Sequence, residues 1–192
     1  MPTHPSFRRT CIGALVGVAL AVGAPQAWSD PVYVAISGSD FSPGTQASPV
    51  RTIAQGIYLA NLAGGQPVYI GEGLYSETVS LANNVSLYGG FAPADGWSRD
   101  PVAHLTTIEG GTTAVLGDGA HGVTLDGLLI RSSNSGPAGS SIGVFLKSCL
   151  SVSVINCRIE AGNGGLGAPG SSGTAGSNGN NGVVVLRYQF KK

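Results

Sequence analysis

Four charged or titratable side chains near the middle of the sequence form the set best able to do chemistry. They are Asp118, His121, Asp126 and Arg131. Glycoside hydrolysis requires a pair of carboxylates, and β-elimination requires a base beside an arginine or a carboxylate-bound Ca²⁺. The sequence therefore offers these four as candidate catalytic residues of a polysaccharide lyase or a glycoside hydrolase.

The stretch that carries these residues is one copy of a repeat. Residues 114–132 align without a gap on residues 143–161, and the aligned pairs include Val115 with Val144, Val123 with Val152, and Ile130 with Ile159. The four candidates become Lys147, Leu150, Ile155 and Glu160 in the second copy. Because no charged set persists from copy to copy, the repeat favours a structural role over a catalytic one.

Each copy also predicts a bend at a fixed place. A short alternating run begins at Val85, Val123 and Val152, and four positions later comes a residue that tolerates a left-handed backbone: Gly89, Gly127 or Asn156. Strands that bend at one offset and recur every ~20–30 residues can stack turn upon turn. This predicts an all-β chain, a right-handed parallel β-helix (a solenoid), in which these three residues form one column of turns.

Composition limits the partners. Charged residues make up 10% of the chain, 31 of its 192 residues are Gly, and the formal net charge is zero. A nucleic-acid or anionic-membrane surface needs a basic patch, which this sequence lacks. We therefore expect no nucleic-acid partner.

The first domain, 1–29, has the pattern of a Sec-type signal peptide. Arg8 and Arg9 precede an apolar run over 11–24, and small residues flank a cleavage site after Ser29. The run ends at Pro25 and is shorter than the ~20 residues of a membrane span. We expect a secreted or cell-envelope protein with no stable membrane span after cleavage.

The second domain, 30–65, is predicted to be an N-terminal cap. A strand over 31–35 precedes a helix with Thr52 as its N-cap and Gly64-Gly65 as its stop. The helix would place Ile53, Ile57 and Ala60 on one face. A short amphipathic helix can cover the exposed end of a stack of strands.

The third domain, 66–192, is predicted to be the parallel β-helix, with Gly-rich or polar side loops inserted at 89–105, 133–142 and 162–182. Residues 182–190 then align with Gly143-Val-Phe145 at their start and would begin another turn. No exit cap follows, so the open C-terminal coil could mediate self-association. The alternative is that the chain is a truncated, inactive relative of a longer β-helix protein.

Trp97 and Arg99 each have two roles open to them. Trp97 in the first insertion could stack on a sugar ring or pack against the strands, and Arg99 could bind a ligand or anchor the loop.

Cys149 and Cys157 are expected to be free, buried thiols, because an extended strand between them holds them too far apart for a disulfide.

Several spaced motifs resemble a known group. They are Tyr33-Val-Ala35, Gly38-Ser-Asp40, Pro43-Gly-Thr45, Arg51-Thr-Ile53, Val68-Tyr-Ile70, Gly73-Leu-Tyr75, Val85 to Phe91 and Trp97-Ser-Arg-Asp100. Over roughly residues 31 to 162 the chain resembles pectin-lyase-like right-handed β-helix proteins, in particular secreted or envelope proteins with a β-helix domain of unknown function. The resemblance implies the fold and export, and it implies little about chemistry.

The favoured hypothesis is an exported, non-catalytic β-helix of the cell surface or envelope that binds glycan or acts in adhesion, with an extracellular or envelope polysaccharide as partner. The alternative is the lyase or hydrolase introduced above. No metal or cofactor is expected, except Ca²⁺ under the lyase alternative.

Overall fold

The computed structural model describes residues 30–167. The predicted signal peptide, most of the third predicted insertion and the segment 182–190 lie outside these residues. Within them, the one α-helix is α1 (Ile53–Leu62), and a 3₁₀ turn lies at Pro93–Asp95. The strands are β1 (Val32–Val34), β2 (Val68–Gly71), β3 (Gly73–Tyr75), β4 (Val79–Ser80), β5 (Leu87–Ala92), β6 (Ser98–Arg99), β7 (Thr106–Gly110), β8 (Thr113–Asp118), β9 (His121–Asp126), β10 (Leu128–Ser132), β11 (Ile142–Lys147), β12 (Leu150–Ile155) and β13 (Arg158–Glu160).

The strands form three parallel sheets. The first has the order β1-β2-β5-β9-β12, the second β3-β7-β10-β13 and the third β4-β8-β11, while the short β6 lies antiparallel on β5. From β2 onward, leaving β6 aside, the chain visits the first, second and third sheets in a fixed rotation. The prediction of an all-β chain with parallel sheets is confirmed.

The register of the sheets reproduces the sequence repeat. Val115 of β8 pairs with Val144 of β11, Val123 of β9 pairs with Val152 of β12, and Ile130 of β10 pairs with Ile159 of β13. Each aligned pair therefore occupies adjacent positions in one sheet. The gapless alignment of the two copies is confirmed, because it is the hydrogen-bonding register itself.

One apolar core draws on all three sheets. Side chains alternate between the two faces of a strand, and the inward residues of the inner strands are fully buried. Examples are Leu125 of the first sheet, Ile108 of the second and Val115 of the third, each with no exposed surface. Burying such a side chain contributes about 1.5–3 kcal/mol, so this shared core holds the sheets together.

The predicted capping helix is confirmed at both ends. The Thr52 side chain accepts a hydrogen bond from Gln55 N–H, and the chain leaves the helix through Gly64 and Gly65, both with left-handed φ values. The helix packs so tightly on β1 that a Cβ at Gly56 would lie 2.5 Å from Val34 Cγ2. α1 thus covers the β1 end of the stack.

Two carboxylates that the sequence did not single out fix this helix in place. Glu77 accepts hydrogen bonds from the N–H groups of Ile53 and Ala54 at 2.8 and 3.0 Å. Asp40 accepts from the N–H groups of Arg51 and Thr52 at 2.9 and 2.8 Å. Together they satisfy amides that a helix start leaves without intrahelical partners.

Two predicted insertions have different bounds. Gly89 to Ala92 belong to β5, so the first insertion is 93–105, and it returns as β6 against the end of β5. Extension of β5 places Phe91 on a buried site instead of in a loop. The second insertion ends at 141, because β11 begins at Ile142.

The predicted column of bends is only partly correct. Gly127 and Asn156 are left-handed, with φ of 70° and 49°. The register places Gly89 beside Gly127, but the left-handed residue of β5 is Gly90, at φ 86°. Gly89 is needed for close approach instead, since a Cβ there would lie 2.5 Å from the Gly127 carbonyl oxygen.

Candidate functional site

A column of aromatic side chains runs across the outer face of the first sheet. Tyr33 of β1 is in register with Tyr69 of β2, and Tyr69 with Tyr88 of β5. The column continues to Asp126 in β9 and Ile155 in β12. Because the residues on either side of each tyrosine in β1 and β2 are buried, the tyrosines point away from the core.

The three rings contact one another edge to face. The centroids of Tyr33 and Tyr69 are 5.7 Å apart with an interplanar angle of 84°, and those of Tyr69 and Tyr88 are 6.0 Å apart at 89°. This is a favourable aromatic geometry. All three residues are half-buried, so the column is rigid yet reachable from solvent.

The tyrosine hydroxyls have hydrogen-bonding capacity to spare. Within residues 30–167 no hydrogen bond engages the hydroxyls of Tyr33, Tyr69 or Tyr88. Burial raises the pKa of Tyr33 above its ordinary value, and the neighbouring Tyr69 and Asp30 raise it further. The hydroxyl of Tyr33 therefore stays protonated at neutral pH and can both donate and accept.

The insertion 93–105 folds back over this column. Trp97, held at φ 63°, lies edge to face on Tyr33 with centroids 4.7 Å apart, and Phe91 stacks on Tyr69 at 4.5 Å and 16°. Trp97 thus packs against the strands, while its half-buried ring remains partly accessible. We call Tyr33, Tyr69, Tyr88, Phe91 and Trp97 the aromatic face.

Arg99 ties the insertion to the sheet. Its Nε donates to the Gly89 carbonyl oxygen at 3.0 Å, its guanidinium lies over the rings of Tyr88 and Phe91, and its Nη2 is 3.0 Å from Asp126 Oδ2. The sequence leaves Arg99 two roles, binding a ligand or anchoring the loop, and the geometry matches the second. Arg99 and Asp126 are thus two predicted candidates that the structure brings together.

Asp126 is fully engaged. Its other oxygen, Oδ1, accepts a hydrogen bond from Asn156 Nδ2 at 3.0 Å, and its side chain is 14% exposed. Both carboxylate oxygens therefore already have partners, one on the insertion and one on the neighbouring strand. This arrangement suits an anchor between neighbouring strands better than a general base.

The remaining catalytic candidates lie elsewhere. Asp118 ends β8 in the third sheet and pairs with Lys147 at 3.5 Å, with both side chains mostly exposed. His121 begins β9 and is exposed, and its backbone N–H donates to Asn83 Oδ1. Because His121 and Asp126 are five residues apart on one strand, about 16 Å separates their backbones.

Arg131 lies on the outer face of the second sheet. Its Nε is 2.7 Å from Glu160 Oε2, and Arg158 Nε is 2.6 Å from Glu160 Oε1. The hydrogen bond from Arg131, helped by the charges of both arginines, holds the pKa of Glu160 below its ordinary value. The four candidates are therefore spread over three sheets and do not form one site.

The two cysteines are free, as expected, although they are half-buried and not fully enclosed. Cys157 Sγ lies 3.5 Å from the Leu125 carbonyl oxygen, and burial raises the pKa of its thiol. A thiol with a raised pKa is a weak nucleophile at neutral pH.

A shallow cleft of about 310 Å³ lies beside the N-terminus of α1. It is lined by Ile36, Arg51, Thr52, Leu74, Tyr75, Ser76 and Glu77. The carboxylate of Glu77 is already bound to helix amides, which leaves the exposed Arg51 as the charged group facing a ligand. The cleft offers less recognition chemistry than the aromatic face.

The sequence carries a signal for the aromatic face that none of its motifs reveals. Tyrosine stands between two apolar residues in β1 and in β2, and the same outward position of β5 is again tyrosine. Aromatic residues at matching positions of successive strands would have indicated a ladder, once the strand register was known.

Comparisons with models of protein families, with curated proteins and with solved structures found no match. Among residues 30–167 no group of His, Cys, Asp and Glu has the arrangement of a metal site. In that same range no helix has both the length and the apolar character needed to cross a membrane.

Proposed function

We propose that this chain is an exported, non-catalytic right-handed parallel β-helix, secreted or held in the cell envelope, whose aromatic face binds a polysaccharide. Membership of the pectin-lyase-like group is part of the same proposal, as is the role of residues 1–29 as a Sec-type signal. The support comes from the topology and from the chemistry of the aromatic face.

The rotation of the chain through three parallel sheets supports the β-helix. Each strand pairs in parallel with the strand that follows one full rotation later, as β7 does with β10 and β10 with β13. A chain that repeats this path must wind around a common core. Parallel crossovers are right-handed in about 98% of cases, which supports the hand.

The observation that carries the binding proposal is the row of three outward tyrosine hydroxyls beside the half-buried Trp97. A sugar presents an apolar ring face and a rim of hydroxyls. The face of an aromatic ring suits the former, and hydroxyls that both donate and accept suit the latter. The face has no excess of either charge, which favours a glycan over a strongly charged partner.

The lyase or hydrolase alternative has less support. Asp118, Asp126 and Arg131 each have an opposite charge as partner, and they lie in three different sheets. A lyase or hydrolase needs its acid, base and electrostatic groups around one substrate bond. Any Ca²⁺ role falls with that alternative.

The test combines a glycan array with a triple variant. Residues 30–192 are applied to the array, and the best ligand is titrated by calorimetry against wild type and Tyr33→Phe/Tyr69→Phe/Tyr88→Phe. The variant keeps the rings and removes three hydroxyls. We expect affinity at least about tenfold weaker, because each neutral hydrogen bond contributes about 0.5–1.5 kcal/mol.

The matched control is Tyr58→Phe, which removes an exposed hydroxyl from α1, away from the aromatic face. It should bind as tightly as wild type. The proposal fails if no glycan on the array binds, or if the triple variant retains wild-type affinity.

A further inference from the structure

The three tyrosines of the aromatic face form a regular row across the first sheet. Tyr33, Tyr69 and Tyr88 occupy matching positions of β1, β2 and β5, and the register shift between β2 and β5 comes only after Tyr69. Neighbouring strands lie ~4.7–4.9 Å apart, and the ring centroids are 5.7 and 6.0 Å apart. The row therefore crosses the strands and repeats at a nearly constant interval. We call each tyrosine of this row a rung.

The interval between rungs limits the shape of a bound polysaccharide. When pyranoses are joined through equatorial bonds, as in cellulose, the chain is extended, and each sugar adds a length close to the distance between two rungs. An axial bond, as in amylose, bends the chain into a coil, so that successive sugars leave a straight row. The extended chain is thus the one that can place successive sugars on successive tyrosines.

The charges around the row favour a neutral sugar. Arg99 lies over the ring of Tyr88, but its guanidinium is already paired with Asp126 at 3.0 Å. At the other end of the row burial raises the pKa of Tyr33, and the nearby charge of Asp30 raises it further. A uronic acid would therefore meet a neutralised cation at one end and a carboxylate at the other, which gives its own carboxylate no attraction.

The row has three rungs in the part of the chain that the structure describes. Beyond Tyr88 the next register position is Asp126. On the other side of β1 lies the segment 44–50, to which both the N–H and the carbonyl of Tyr33 are hydrogen-bonded, and this segment has no aromatic residue. We propose, building on the binding function proposed above, that the aromatic face takes an extended, equatorially linked polysaccharide of neutral sugars and holds three consecutive sugars.

Calorimetric titration with oligosaccharides of defined length tests this proposal. Residues 30–192 are titrated with cellobiose, cellotriose and cellohexaose, and with maltotriose and trigalacturonate as ligands of the same length as cellotriose. We expect cellotriose to bind at least about tenfold more tightly than cellobiose, because the third sugar adds a ring contact and hydrogen bonds. Cellohexaose should bind about as tightly as cellotriose. Maltotriose and trigalacturonate should each bind at least about tenfold more weakly than cellotriose.

The variant Tyr33→Phe tests the number of rungs. It removes the hydroxyl of the terminal rung and keeps the ring that contacts Tyr69 and Trp97. Cellotriose should bind this variant about three- to tenfold more weakly than it binds wild type. Cellobiose, which can occupy the two remaining rungs, should bind both proteins equally. The matched control Tyr58→Phe, on the exposed face of α1, should leave both affinities unchanged.

The possible failures are distinguishable from those of the binding function. Equal binding of cellotriose and maltotriose, tighter binding of trigalacturonate, or an affinity that keeps rising well beyond three sugars would overturn the proposal. So would an equal loss of cellobiose and cellotriose affinity in Tyr33→Phe. If the cello-oligosaccharides do not bind while another glycan on the array binds through the tyrosine hydroxyls, this proposal fails and the binding function stands. If no glycan binds, both fail.

Discussion

The outer face of the first sheet differs from the outer faces of the other two sheets in how its side chains are held. On the first sheet the rings pack on one another, and Arg99 of the insertion pairs with Asp126, the two side chains being 32% and 14% exposed. On the third sheet Lys147 and Asp118 form a pair with side chains 63% and 61% exposed. The ion pair of the first face is therefore more enclosed than that of the third.

This difference bears on ligand binding. Exposed ion pairs of opposite sign neutralise each other and stay hydrated, so they give a passing ligand little to bind. Ordered rings with unused hydroxyls lose little conformational freedom when a ligand arrives. The contrast favours the first sheet as the binding surface, and three substitutions test its physical basis.

The largest effect is expected from Phe91→Ala. Phe91 is 6% exposed and stacks on Tyr69, so its removal should lower the free energy of unfolding by about 3 kcal/mol. The control is Phe145→Ala on the outer face of the third sheet, where a half-buried ring should contribute about 1 kcal/mol. Urea denaturation of both variants gives the comparison, and equal losses would remove the distinction between the faces.

An intermediate effect is expected from Arg99→Ala. The substitution leaves the partly buried Asp126 without its cation and frees the insertion, so stability should fall by about 1–3 kcal/mol. Arg131→Ala removes a more exposed partner of Glu160, so its loss of stability should be smaller. Urea midpoints at low salt measure both, and a larger loss for Arg131→Ala would reverse the comparison.

The predictable parts of the fold are those that depend on the sequence repeat or on residues close together in the chain. The register of β8 with β11 and of β9 with β12 follows from the gapless alignment of the two copies, which matches Val115 with Val144 and Val123 with Val152. The capping helix follows from the hydroxyl of Thr52 and the glycine pair at its end. The register thus depends on the repeat, and the helix ends depend on residues adjacent in sequence.

The parts that were missed depend on chain segments meeting after folding. Glu77 caps α1 from beyond two strands, and Arg99 reaches Asp126 only because the insertion turns back over β5. The conformation of Gly89 could not be read from its offset, because β5 runs on to Ala92. Side-chain partners of this kind become visible only with the three-dimensional path.

The smallest effect concerns Glu160 on the second sheet and is a matter of pH. Its pKa is lowered by the hydrogen bond from Arg131 and by the charges of Arg131 and Arg158, from an ordinary value of 4.5. A carboxyl with a lowered pKa in the folded state adds stability above its unfolded pKa, and that stability is lost as the pH falls through the folded value. Wild type should therefore be slightly more stable than Glu160→Gln at neutral pH, and the difference should vanish well below pH 4.5.

Glu109→Gln is the control for this comparison. Glu109 of β7 is in register with Arg131 of β10, on the side of β10 opposite to Glu160. In the described part of the chain no ion pair engages Glu109. Urea midpoints for both variants across the acid range, at low and high salt, separate the cases. Because the groups around Glu160 are partly exposed, salt should screen its contribution. A difference that persists at low pH or at high salt would mean that Glu160 acts through packing, and the second face would then resemble the first.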